Sequence, residues 1–192
     1  MKTTDPIRSK THTREMADYY LKRGKLRNYL LIVLGLHTGL SIGDLLSLRQ
    51  RDVYDFEAGG FHSHLTLTER KTGKAKCIAL HPKALGALAL LLGARPTSAD
   101  GFLFESRKSR DRAIGRVQAW RIIKEAAIVI GAVGHISCHS LRKTFGYFAW
   151  KAGVLPVMLM DIFNHSSFEI TRRYLGISQD ERDAVYLSLE LL

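Results

Sequence analysis

The chain has 192 residues, with 29 Lys and Arg against 18 Asp and Glu and a formal net charge of +11. That length holds one domain, which buries about 70% of its unfolded surface and can sustain a core unaided. With 46% hydrophobic and 24% charged residues the composition is ordinary for a globular protein, which excludes general disorder. No apolar run approaches the roughly 18 uncharged residues of a membrane span, and MKTTDPIRSK lacks the apolar stretch of a secretory signal. Cys77 and Cys138 form neither a ligand cluster nor a disulfide framework, so a reduced, cytoplasmic setting is expected.

Residues 1–12 are polar and read as a loose N-terminal arm, leaving 13–192 as the domain. Thr13 is placed to cap a helix that carries Met16, Tyr19 and Tyr20 at helical spacing and stops at Gly24. Asn28 to Leu40 is apolar on several faces, the pattern of a deeply buried helix ending at His37-Thr38-Gly39. Ser41-Ile-Gly-Asp44 has the spacing of a capping box and opens a short helix through Leu48. After Asp52 the period changes to two. Val53 to Phe56 alternates, Gly59-Gly60 breaks, Leu65 to Thr68 alternates again, and the turn sequence Lys71-Thr72-Gly73-Lys74 leads into Cys77 to Leu80. This reads as a small three-stranded antiparallel sheet with a basic hairpin tip. Pro82 opens a helix to about Leu92, followed by a loop and a short extended piece at Phe102 to Phe104. Further helices are expected over 112–130, 139–151, 156–163 and 168–175, with a last one capped by Ser178 and ending in Leu189, Leu191 and Leu192. The fold class is therefore mainly α with one small sheet.

The charge favours polyanions, and nucleic acid is the usual one. Residues 1–30 hold eight Lys and Arg against three acids, and residues 105–124 hold seven against two, whereas the tail is acidic and apolar. Arg107, Lys108 and Arg110 form a basic run ahead of a helix, suited to phosphate contacts or simply to a solvated surface. Arg112, Arg116 and Gln118 on that helix are candidates for groove edges.

The C-terminal third holds His139-Ser-Leu-Arg142, then His165, then Tyr174, and Lys71 sits at the hairpin tip. His139 and Arg142, three apart, share one face of a helix. The set suits attack on a phosphodiester. A tyrosine oxygen can form a covalent phosphotyrosine, an Arg fork can grip nonbridging oxygens, a His can move a proton, and a Lys can protonate the departing alkoxide. No carboxylate cluster is present to hold a metal, so no cofactor is expected. Taken singly, each element has a plainer reading: a tyrosine on a helix is usually packing, HxxR recurs by chance, and Lys-Thr-Gly-Lys is a turn. Their joint spacing and order carry the signal.

These stretches resemble the tyrosine recombinases, also called phage integrases, across nearly the whole chain. The matching segments are Thr38-Gly39-Leu40 with Ile42 and Leu45, Lys71-Thr72-Gly73-Lys74, His139-Ser-Leu-Arg142-Lys-Thr-Phe, Phe163-Asn164-His165-Ser166-Ser167 and Arg173-Tyr174-Leu175-Gly176. The resemblance implies a mostly helical catalytic domain that cuts and rejoins DNA at paired sites. Tyr174 would be the nucleophile, forming a 3′-phosphotyrosine and freeing a 5′-hydroxyl, and Lys71 the acid toward that hydroxyl. His139 would assist proton transfer, Arg142 would clamp the phosphate, His165 would hydrogen-bond it, and Lys74 would lie over the backbone. The tail helix, with Val185, Leu189 and Leu191, would dock onto a neighbouring protomer of a tetramer on double-stranded DNA, or else pack on its own domain.

Two departures stand out. The family has an Arg directly after Thr-Gly-Leu where this chain has Ser41, which brings neither charge nor fork. By analogy with other phosphoryl-transfer sites, losing such an Arg costs on the order of 10³–10⁵ in rate. Arg49 and Arg51 lie close in sequence, with nothing to show that either fills the gap. Ser41 is then either a substitution that traps an uncleaved state or a sign of drift toward DNA binding alone; it also simply caps its helix. Second, about a dozen residues precede the first expected helix, too few for the additional DNA-clamping domain of many integrases. The chain is then a shortened form or one of the minimal members, as the fimbrial invertases are. Two rival functions follow: a non-cleaving DNA-binding protein on the same fold, and a type IB topoisomerase-like activity that relaxes DNA without pairing sites.

Overall fold

The computed structural model describes residues 4–95 and 97–189. The most apolar stretch of the sequence becomes the central helix. α1 spans Lys10–Leu21, α2 Leu26–Thr38 and α3 Ile42–Ser47. A short 3-10 turn at Gln50–Asp52 leads into the hairpin β1 (Tyr54–Asp55) and β2 (Gly60–Phe61). β3 (His64–Thr68) and β4 (Ala75–Ala79) follow, then α4 (Pro82–Gly93), β5 (Glu105–Ser106) and β6 (Ser109–Ala113). The C-terminal part is helical: α5 (Arg116–Val129), α6 (Cys138–Lys151), α7 (Pro156–Phe163), α8 (Phe168–Leu175) and α9 (Ser178–Ser188).

Leu30, Leu31, Ile32, Val33 and Leu34 of α2 are all buried, because α2 packs against α1, α4 and α6 on different sides. Each such side chain contributes roughly 1.5–3 kcal/mol of burial. Met16 and Tyr20 of α1, Leu88 of α4, Ile122 and Ile123 of α5 and Leu141 of α6 complete this core. A second, smaller cluster joins Tyr147 of α6, Leu159 and Phe163 of α7, Leu175 of α8 and Ile177. α6 thus belongs to both cores and joins them.

The strands differ from the sequence reading. Instead of one three-stranded sheet, the described residues form three separate antiparallel pairs, β1 with β2, β3 with β4 and β5 with β6. The long pair has Leu65 facing Ile78 and Thr68 facing Ala75, with Leu65 the side chain buried in the main core. The third pair was unforeseen: Ser109–Ala113 is a strand, so α5 begins at Arg116 rather than at 112. Apolar alternation, the signal for a strand, is absent from Ser-Arg-Asp-Arg-Ala because backbone pairing rather than burial holds it.

The N-terminus also departs from expectation. Ser9, not Thr13, caps α1 by accepting from the His12 amide, and the Thr13 hydroxyl donates to the Lys10 carbonyl. Residues 5–9 are not a loose arm. Asp5 donates its amide to the His135 carbonyl, Ile7 donates its amide to the Thr144 hydroxyl, and Ile7 is buried. Of the expected tail, Leu191 and Leu192 lie outside the described residues, whereas Tyr186, Leu187 and Leu189 are exposed.

Gly146 lets α6 meet α7 and α8. A Cβ there would stand 2.6 Å from both Leu175 Cδ2 and Phe163 Cζ. Gly146→Ala is expected to destabilise the protein by about 1–3 kcal/mol through overpacking, read as a lower midpoint in urea unfolding. A midpoint at or above that of the unsubstituted chain would contradict this packing.

Candidate active site

The site is built where the two cores meet, and Arg142 is its joint. α2 ends at Gly39 in a left-handed conformation, φ 61°. A Cβ at Gly39 would stand 2.6 Å from the Phe145 ring, so both backbone and space call for glycine. The Gly39 carbonyl then accepts a 2.6 Å hydrogen bond from Nη1 of Arg142. Nη2 of Arg142 donates to the Phe163 carbonyl at 3.3 Å, and its guanidinium lies over the Phe163 ring.

Behind Arg142 is Glu69, a buried carboxylate between β3 and the hairpin tip. Lys76 of β4 bridges to it at 2.6 Å, the Thr72 hydroxyl donates to it at 2.8 Å, and the Asn164 amide donates to it as well. Nη1 of Arg142 stands 3.9 Å away. Burial alone would raise the Glu69 carboxyl, but the Lys76 and Thr72 hydrogen bonds and the charges of Lys76 and Arg142 bring it below its usual range. Lys76 also donates to the Ile162 carbonyl, tying the hairpin to α7. Glu69, Lys76 and Asn164 were missed by the sequence reading. A Glu next to a basic turn looks like an ordinary solvated charge, and only tertiary packing buries it.

α7 closes with Asn164 in the left-handed region, φ 52°, and Ser167 caps α8 by accepting from the Ile170 amide. This tight junction sets His165 against Phe163, rings stacked at 5.6 Å, and against Tyr174, edge-on at 5.2 Å. Nδ1 of His165 contacts the Thr171 hydroxyl at 3.0 Å. Tyr174 is partly buried on α8, with Phe163 at 5.5 Å and the Lys143 ammonium 5.0 Å from its ring centroid. Lys143 donates to the Thr4 carbonyl, so the N-terminal segment supports the site from behind.

The charges agree with this geometry. Burial lowers His139 below the usual imidazole range, helped by the positive charges of Lys143, Arg142, Arg116 and Lys71. Burial, Arg142 and Lys71 act the same way on His165. Both imidazoles are therefore neutral at pH 7. Burial raises the Tyr174 phenol, and Arg142 works against that rise. Tyr174, His165 and Arg142 thus meet around Phe163, and the charges of Arg142 and the exposed Lys71 act on both His139 and His165.

The other candidates are dispersed. Ser41 caps α3, accepting from the Asp44 amide, and its hydroxyl donates to the Asp44 carboxylate at 2.6 Å. Arg49 stacks on Phe102 and bonds the Asp100 carbonyl, and Arg51 pairs with the Asp100 carboxylate. Neither refills position 41. Lys74 is exposed in the turn after Lys71. Lys108 is exposed in the β5–β6 turn, and Arg110 lies on β6 rather than in a loop, its side chain outside the described residues. Arg107 lines a separate cavity of about 540 Å³ with Arg27 and Arg95. Among the described residues no group of three or more His, Cys, Asp or Glu side chains could hold a metal ion, and no helix is long and apolar enough to cross a membrane.

The phage integrase family matches residues 10–181. The chain belongs to that family. It is 36% identical over 186 residues to the probable integrase/recombinase YoeC of Bacillus subtilis, covering 97% of each protein. Among solved structures it resembles the XerA recombinase, with a TM-score of 0.74 at 20% identity over 97% of this chain and 64% of that one. It also resembles the XerH site-specific recombinase bound to a palindromic difH substrate, with a TM-score of 0.70 at 17% identity over 96% of this chain and 53% of that one. The fold is that of integrase catalytic domains, and the chain spans nearly all of the Bacillus relative but only about half to two-thirds of these two structures.

Glu69→Gln leaves Lys76 buried without its carboxylate and is expected to cost about 3 kcal/mol at pH 7, read as a drop in the urea midpoint. The folded-state pKa of Glu69 lies below the ordinary 4.5. Its contribution is therefore complete above that value and is lost as pH falls through the depressed one. The midpoints of the two proteins should converge in acid; a constant gap down to the lowest accessible pH would contradict the assignment.

Proposed function

We propose that this integrase-family chain performs site-specific DNA recombination by metal-independent strand cleavage and rejoining. The observation that carries the reading is the shared surface of Tyr174, His165 and Arg142 around Phe163, with His139 and Lys71 close enough to act on the same charges. The Tyr174 oxygen attacks the scissile phosphorus. An O–P bond forms, the P–O5′ bond breaks, and the phenol proton passes to neutral His139. Lys71 gives a proton to the departing 5′-oxygen. Arg142, already fixed by two carbonyls, offers its remaining N–H groups to a nonbridging oxygen. In the tautomer that carries its proton on Nε2, with Nδ1 3.0 Å from the Thr171 hydroxyl, His165 donates to the same phosphate. Rejoining reverses these transfers.

In this reading double-stranded DNA is the partner, held by Lys74, Arg107, Lys108 and Arg110 outside the site. The exposed Tyr186, Leu187 and Leu189 of the tail support docking of α9 on a neighbouring protomer in a tetramer on DNA, within the cytoplasm. Binding through these phosphate contacts falls steeply with salt.

A pool of nicked duplexes of randomised sequence tests the reading, because a nick just beyond the cleavage point lets the short fragment bearing the new 5′-hydroxyl escape and traps the adduct. Tyr174→Phe is expected to abolish the covalent adduct on a denaturing gel while retaining duplex binding. An adduct that survives Tyr174→Phe moves the nucleophile elsewhere, and binding with no adduct from the unsubstituted chain favours a non-cleaving DNA binder. Relaxation of supercoiled plasmid of unrelated sequence favours the topoisomerase-like reading. Adduct formation should also decline as pH falls through a value below 6.5, the pH at which His139 takes up a proton and ceases to be a base. A rate flat down to the lowest pH at which the protein stays folded excludes that role.

A further inference from the structure

Ser41 brings no charge to the start of α3, yet a guanidinium reaches its neighbourhood from another element. Arg116 is the first residue of α5, and its side chain crosses to α3. A Cβ on Gly43 would stand 2.9 Å from Nη2 of Arg116 and 3.7 Å from Oγ of Ser41, so the guanidinium and the hydroxyl share one small space over Gly43. Gly43 lies inside α3 without a positive φ. Its backbone does not call for glycine, and a glycine there costs the helix roughly 0.5–1 kcal/mol relative to Ala. What the missing side chain provides is room for Arg116.

Arg116 serves no evident structural end. It is exposed, and among the described residues its guanidinium has no hydrogen-bond or ion-pair partner. It stands at the positive end of the α5 dipole, with no acid in the first turn to offset it, a placement that is unfavourable by about 0.3–1 kcal/mol. Its charge also reaches the cluster, being among those that act on His139 beside Arg142 and Lys71.

We propose that Arg116 supplies, from α5, the second phosphate-clamping guanidinium that position 41 lacks. It serves as a catalytic residue on the nonbridging oxygens of the scissile phosphate, opposite Arg142. The inference rests on the strand-cleavage reading above. The helix dipole and the guanidinium over Gly43 then both favour an anion at this point, and the charge arriving in the transition state meets two forks rather than one.

Single-turnover adduct formation on the nicked duplex pool is the test. Arg116→Ala is expected to slow cleavage at least about a hundredfold, the scale of one lost transition-state donor. Duplex affinity should change by no more than about tenfold, the scale of one phosphate contact among several. Arg116→Lys should recover cleavage only in part, since an ammonium lacks the fork. Gly43→Val, which keeps Arg116 but fills its space, should slow cleavage as well. Adding Ser41→Arg to Arg116→Ala should restore most of the rate, because it returns a guanidinium to the same space from the other side. Cleavage by Arg116→Ala within about threefold of the unsubstituted chain overturns the proposal alone, as does a folded double variant with no rescue. No adduct from the unsubstituted chain overturns this proposal together with the strand-cleavage reading.

Discussion

Arg142 fastens the end of α2 to the end of α7 through the carbonyls of Gly39 and Phe163, and Glu69 holds it from behind. These are charge-assisted contacts in a largely buried setting, where an unpaired guanidinium or carboxylate would be costly. The two hydrophobic cores meet at this residue, so the geometry of the cluster is a consequence of packing. Gly39 can present its carbonyl only because α2 ends in a left-handed turn against Phe145. Asn164 performs the matching task at the end of α7, and its amide reaches the same Glu69.

The cluster concentrates positive charge around two neutral imidazoles and one partly buried phenol. Among the described residues Glu69 balances it, and that carboxylate is occupied by Lys76, Thr72, Asn164 and Arg142. The surface facing solvent is therefore left with a net demand for an anion. Such preorganised charge costs no rearrangement when a phosphate arrives. Burial and neighbouring cations, acting together, also favour the uncharged forms of His139 and His165.

Much of the helical architecture could be read from spacing. The apolar run over Asn28 to Leu40 became α2, and Pro156 and Ser167 mark helix starts as capping chemistry dictates. The strand pattern was less legible. Short, half-buried strands carry weak alternation, so one sheet was expected where three pairs form, and β6 was taken for loop and helix. The N-terminal segment looked loose because its residues are polar, but its backbone is tied down by His135 and Thr144, more than a hundred residues away.

Local sequence was sufficient to nominate the candidate groups of the site, since Tyr174, His165, Arg142, His139 and Lys71 lie in short motifs whose spacing is set by helix periodicity and turn geometry. Tertiary structure alone decided which other charges join them. Glu69, Lys143 and Arg116 come from a hairpin, a helix face and a helix start, and nothing in their linear positions gives their contacts. Burial and long-range charge are properties of the assembled fold, and a side chain's partner across a hundred residues is fixed by packing rather than by its neighbours in the chain.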